Sequence, residues 1–162
     1  MARKLSHVDA KGRPRMVDVS AKRASLREAT ARASVIFPPD VAKTLRARDM
    51  HSSKGSIVDA AIIAGTMAAK RTHGLIPLCH PLPLSKVEIE INPEHSLPGF
   101  LVQATVKVTA KTGVEMEALT AVSISCLTIY DMVKAVERGI RIEGIRLLLK
   151  SGGKSGEWRA EA

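Results

Sequence analysis

The chain has 162 residues, 45% of them hydrophobic and 2% aromatic, and carries 25 Lys and Arg against 16 Asp and Glu, a formal charge of +9. That length and apolar content suit one domain able to bury about two thirds of its unfolded surface. No apolar run approaches the roughly 20 residues of a membrane span, and the polar N-terminus lacks the core of a secretory leader.

The positive field calls for an anionic partner, either nucleic acid or a phosphorylated small molecule. One Trp, one Tyr and two Phe leave little with which to stack unpaired bases, which weighs against a single-strand-binding module. Two cysteines, Cys79 and Cys126, do not make a disulfide framework and suit a reducing cytoplasm.

In chain order, residues 1–14 carry charges without periodicity and are expected to form a flexible arm. From Ser25 to Phe37, Ala29, Ala31, Ala33, Val35 and Phe37 alternate with Glu28, Thr30, Arg32 and Ser34, the period of a half-buried strand. Pro38 and Pro39 stop it and open a short helix ending near Arg48. A second helix is expected from Ser56 to Thr72, with Ile57, Ala60, Ala61, Ala64, Met67, Ala68 and Arg71 on its inner stripe. The segment from His73 to Pro83 holds three prolines and reads as a stiff loop.

Val87, Ile89 and Ile91, then Val102, Ala104, Val106 and Val108, give an antiparallel hairpin with its turn at Pro93–Gly99. A long helix follows, with Gly139 as its stop, and then a strand in which Ile145, Leu147 and Leu149 share a face. The sequence therefore predicts an α+β, ferredoxin-like domain: a split β-α-β plan with an antiparallel sheet and helices packed on one face. It spans residues 15–156, with 157–162 as a C-terminal tail.

The long helix carries the sharpest functional signal. Thirteen uncharged residues, Ala118 to Tyr130, are bracketed by Glu115 and Glu117 in front and by Asp131 and Lys134 behind. At about 1.5 Å and 100° per residue, Glu117 and Asp131 stand about 21 Å apart, within about 40° of one face. One small substrate cannot touch both, but a second copy packed antiparallel would bring one subunit's Glu117 near the other's Asp131.

Asp131 and Lys134 are neighbours three apart, and partial burial between apolar residues would make them an acid/base pair, the alternative being a plain surface ion pair. By phase Glu117 is favoured for the site, with Glu115 serving the helix N-terminus.

His80, next to Cys79 in the stiff loop, is suited to hold a polar ligand; with His73 the trio falls short of a zinc set, so no metal is expected. Lys150-Ser-Gly-Gly-Lys154 lacks the remaining glycine and the following helix of a Walker A motif, yet two glycines between two lysines can wrap an anion. Lys54-Gly55, ahead of the second helix, adds a weaker cationic site.

Four strings, 70–81 (KRTHGLIPLCHP), 111–120 (KTGVEMEALT), 127–134 (LTIYDMVK) and 150–156 (KSGGKSG), together resemble the MoaC family of cyclic pyranopterin monophosphate synthases in molybdenum cofactor biosynthesis. The resemblance implies a ferredoxin-like subunit in a hexamer, a trimer of dimers with sites at dimer interfaces. It implies conversion of a cyclised dihydro-GTP to a tricyclic pyranopterin with a cyclic phosphate and release of pyrophosphate, without metal or organic cofactor.

Carried onto this chain, it makes Asp131 the catalytic group with Lys134 beside it. Leu78, Cys79, His80, Met116 and Glu117 become substrate-binding, and Lys54, Lys150 and Lys154 triphosphate partners. Ser56 stands where the family commonly has an acidic residue. The main rival, a basic ferredoxin-like RNA-binding module, would need exposed aromatics on its strands, and residues 86–92 and 101–109 carry none. A metal-dependent hydrolase is the third reading.

Overall fold

Alternation places the small side chains of the first strand, β1 (Ser25–Ile36), on one face, where Ala29, Ala31, Ala33 and Val35 are buried. The computed structural model describes residues 7–94 and 96–161; residues 1–6 of the expected arm lie outside the described residues. Residues 7–14 form a tight turn closed by a Val8–Pro14 bridge, with Asp9 accepting from the backbone of Lys11 and Arg13.

After β1 come α1 (Pro39–Ala47), a two-residue ribbon of β2 (His51–Ser52) and β3 (Gly55–Ser56), α2 (Ile57–Lys70) and the single turn α3 (Thr72–Leu75). Then follow β4 (Lys86–Glu94), β5 (Gly99–Ala110), α4 (Glu115–Val133), β6 (Arg141–Ser151) and β7 (Trp158–Arg159). The sheet order is β4-β5-β1-β6-β7 with every neighbouring pair antiparallel, which is the ferredoxin-like arrangement expected.

α4 packs on β1, β5 and β6, and α2 lies against α4 and β4. The α4 stripe Ala118, Ala121, Val122, Cys126, Ile129 and Val133 meets the alanines of β1 and the valines of β5, all buried. Each larger aliphatic side chain so removed from water contributes roughly 1.5–3 kcal/mol. Phe100, at the start of β5, is buried edge-on against Phe37. No aromatic is exposed on β4 or β5 among the described residues, as the RNA-binding reading would require.

Four local expectations are corrected. Met67 is exposed, and Gly65 takes the inner position on α2, because α4 passes too close for a longer side chain. α4 ends at Val133, six residues before Gly139, in a turn where Val136 N–H donates to the Val133 carbonyl. β4 runs through Pro93, which an edge strand tolerates. The β1–β6 register shifts between Thr30 and Ala31, so Leu147 lies opposite Ala31 but Leu149 opposite Thr30, on the other face.

Candidate active site

At the N-terminal end of α4 the stiff loop, the start of α4, the end of β6 and the N-terminal segment enclose a cleft of about 380 Å³. Leu78, Cys79 and His80 line it from the proline-rich loop, where Cys79 N–H donates to the Ile76 carbonyl at 3.1 Å. His80 Nε2 sits 2.9 Å from the Val17 carbonyl. A carbonyl only accepts, so Nε2 carries the proton, and a neutral ring keeps Nδ1 as an acceptor. Lys111 Nζ likewise donates to the Ser20 carbonyl at 2.8 Å, and Val17 and Val19 become part of the wall.

Met116 and Glu117 enter from the first turn of α4. Glu117 is 4% exposed, and burial, with Glu115 adding repulsion, pushes its carboxyl up to about 7 although its own backbone N–H opposes the shift. The Cys79 thiol is also pushed up, by burial first and by Glu117 second. Glu115 borders the same cleft and binds Lys150 Nζ at 2.6 Å. Glu115, expected only to serve the helix N-terminus, thus also reaches the cleft: at the first residue of the helix its long side chain swings across to the β6 lysine.

Four cations, Lys22, Arg27, Lys111 and Lys150, border the cleft against two carboxyls, one of them half-neutral near pH 7. The balance favours an anionic ligand.

The opposite end of α4 carries the second charged group. Asp131 Oδ1 meets Lys134 Nζ at 2.8 Å and its Oδ2 meets Lys54 Nζ at 2.8 Å, with all three side chains about half exposed. The β2–β3 ribbon holds Lys54 there; backbone strain at Asp49 and Met50, with positive φ of 49° and 56°, accompanies its entry. Both lysines hold the Asp131 carboxyl down at about 2, Lys134 contributing most. Asp131 in turn raises Lys134. Half exposed in the single chain, Asp131 and Lys134 lose too little water to be pushed toward neutrality, so the expectation that burial brings both near neutral is corrected and the pair is fully ionised.

Six of the ten singled-out residues thus share the cleft: Leu78, Cys79, His80, Met116, Glu117 and Lys150. Lys54, Asp131 and Lys134 form a separate triad at the other end of α4. Lys154 is exposed in the turn after β6 and does not line the cleft, although Ser155 does. His73 borders a different, apolar groove with Leu75.

Lys111 was legible in the Lys-Thr-Gly string beside Glu115. Arg27, Lys22 and the Val17–Val19 wall carried no local signal, because only the tertiary fold brings β1 and the N-terminal segment to this end of α4.

A model described as the MoaC family matches residues 16–153 of the chain. The chain is 56% identical over 157 residues to a cyclic pyranopterin monophosphate synthase of Methylobacterium sp. (strain 4-46), covering 97% of each. It is 56% identical over 158 residues to the protein of that name in Cereibacter sphaeroides (strain KD131), covering 98% of each. To that of a Nostoc strain it is 54% identical over 154 residues, covering 95% of this chain and 90% of the relative.

Proposed function

Since the chain belongs to the MoaC family, we propose that it converts (8S)-3',8-cyclo-7,8-dihydroguanosine 5'-triphosphate into cyclic pyranopterin monophosphate with release of pyrophosphate, in cytoplasmic molybdenum cofactor biosynthesis. The observation that carries this reading is the cleft itself, in which His80, the buried Glu117 and a set of cations face one space of nucleotide size. An internal hydroxyl attacks the innermost phosphorus, the bond from that phosphorus to the bridging oxygen breaks, and pyrophosphate departs. Lys150 at the cleft wall stabilises the charge that gathers on it, and Lys154, outside the cleft, would have to swing in from the turn after β6 to share that role.

The reading also requires a second copy. Glu117 and Asp131 lie fourteen residues apart on one helix, about 21 Å along its axis, beyond the reach of one small substrate. An antiparallel neighbour sets its Asp131, Lys134 and Lys54 at this chain's cleft, and a hexamer built as a trimer of dimers repeats that contact. The triad arrives ready for its roles: an ionised carboxylate as proton acceptor and protonated lysines as donors, with Lys54 also available to the triphosphate.

The test is direct. The purified protein is incubated with the cyclised nucleotide, and the products are weighed by mass spectrometry while pyrophosphate is assayed. Formation of the cyclic phosphate, undiminished by exhaustive chelation, supports the proposal; intact substrate after many enzyme equivalents of time refutes it. Asp131→Asn and Lys134→Ala each lower turnover by at least about 10²-fold.

A further inference from the structure

The cleft offers a nucleotide cations and hydrogen-bonding groups but little flat surface. Among its lining residues His80 is the only planar ring, and its Nε2 is tied to the Val17 carbonyl. A purine-derived ring system therefore finds no free aromatic face inside it and has to take one from the rim.

Trp158 is the one aromatic side chain placed to supply it among the described residues. Phe37 and Phe100 are buried against each other, and Tyr130, at the far end of α4, donates to the Arg138 carbonyl. Trp158 is 47% exposed, touches no other ring, and its indole N–H makes no hydrogen bond among the described residues.

The strand pairing turns this side chain to the side of the sheet that carries α4. In β7, Trp158 lies opposite Lys150 of β6, and such pairs share a face with their Cβ atoms about 4.5–5.5 Å apart. Lys150 reaches Glu115 at the start of α4 and lines the cleft, so the indole stands beside the Lys150 stem at the cleft's edge. Glu157 and Arg159 project to the opposite face, where they pair with each other at 2.6 Å and Arg159 borders a separate groove with Thr30. Between Lys150 and Trp158 the chain runs through the turn that contributes Ser155 to the cleft wall. The wall thus continues outward as an aromatic surface.

We propose that the Trp158 indole is the stacking surface for the planar heterocycle of the nucleotide whose anionic groups the cleft holds. The ligand class is that of the reading above, on which this role rests. Stacking on an exposed indole adds affinity for the ring and none for the phosphates, so GTP and inorganic triphosphate serve as probes that separate the two.

Trp158 is the chain's only tryptophan, so its emission reports on this position alone. In the intact protein GTP is expected to quench it saturably, while inorganic triphosphate, at equal occupancy set by titration calorimetry, leaves it nearly unchanged. GTP affinity falls at least about fivefold in Trp158→Leu and stays within about twofold in Trp158→Phe, and triphosphate affinity is the same in all three proteins. In turnover of the cyclised nucleotide, Trp158→Leu raises KM by a similar factor and leaves kcat within about threefold.

Equal quenching by GTP and triphosphate, wild-type GTP affinity in Trp158→Leu, or no binding of GTP by the wild type overturns the proposal. An emission that shifts with protein concentration and ignores GTP shows the indole covered by a second copy, and overturns it as well. Should Trp158→Leu fail a circular dichroism check on folding, the wild-type quenching comparison decides alone. A wild type that is quenched by GTP but leaves the cyclised nucleotide unchanged refutes the proposed reaction and not the role of Trp158.

Discussion

Among the described carboxyl groups, Glu117 is the one that burial pushes up to about 7. Its carboxyl ionises near 4.5 when unfolded and about 7 in the cleft, so between those values the folded chain holds a proton that the unfolded chain has released. Stability from this group is therefore complete below about pH 4.5 and is lost as pH rises through 7. The difference is on the order of 3 kcal/mol. Urea midpoints at pH 5 and pH 8 should separate more in the wild type than in Glu117→Gln, and equal separations would contradict the burial argument. Asp131 has the opposite sign: its depressed carboxyl keeps its charge until the pH approaches 2, so acid weakens the triad only well below pH 4. The same contrast divides their chemistry, since one acid can donate near neutrality and the other can only accept.

Among the elements, α2 and α4 meet through small residues at a separation that substitution can probe. A Cβ on Gly65 would run into Ser125 Oγ and lie 2.9 Å from the Ala121 carbonyl, and that backbone oxygen has no room to give. Helix propensity favours Gly65→Ala by about 1 kcal/mol. The overlap costs about 1–3 kcal/mol, so the net effect in chemical denaturation should be destabilising. Ser125→Ala removes the 3.0 Å bond to the Ala61 carbonyl, a loss of about 1 kcal/mol, yet it relieves part of the clash, so the double variant should be more stable than additivity predicts. At the start of α2, Ser56 Oγ accepts from Asp59 N–H, a cap that an acidic side chain makes equally well; Ser56→Asp is expected to be neutral and Ser56→Ala to lose about 1 kcal/mol. These elements were legible in the sequence because alternation in β1 and β5 and the prolines around α1 are local signals. The inward Gly65, the early end of α4 and the β6 bulge were not, since each follows from how close a neighbouring element comes. The cleft divides the same way: the helix-end carboxylates and the histidine loop announce themselves in consecutive residues, whereas Arg27 is brought to the site by strand register alone.

For the whole molecule, α2, α3 and α4 leave Ile63, Met67, Leu75 and Leu127 exposed, and Met67 and Leu75 line a groove of about 550 Å³. So much apolar surface on one side of a strongly basic chain fits a face covered in an assembly. Leu127 is on α4 between the two charged ends, so a contact there brings a neighbour onto the helix that would carry the composite site. Leu127→Lys places an ammonium group in that contact, and light scattering should show a smaller particle with turnover reduced alongside it. Mixing separates assembly from chemistry. Subunits carrying Glu117→Ala keep an intact triad, and subunits carrying Asp131→Asn keep an intact cleft, so a mixed dimer assembles one site with both parts. With random exchange, half of the dimers are mixed and each has one whole site of two, which sets the recovered turnover at about one quarter of the wild type. Recovery near that fraction, appearing only after subunits exchange, requires a site drawn from two chains; exchange without any gain leaves each site within a single chain and refutes the shared arrangement.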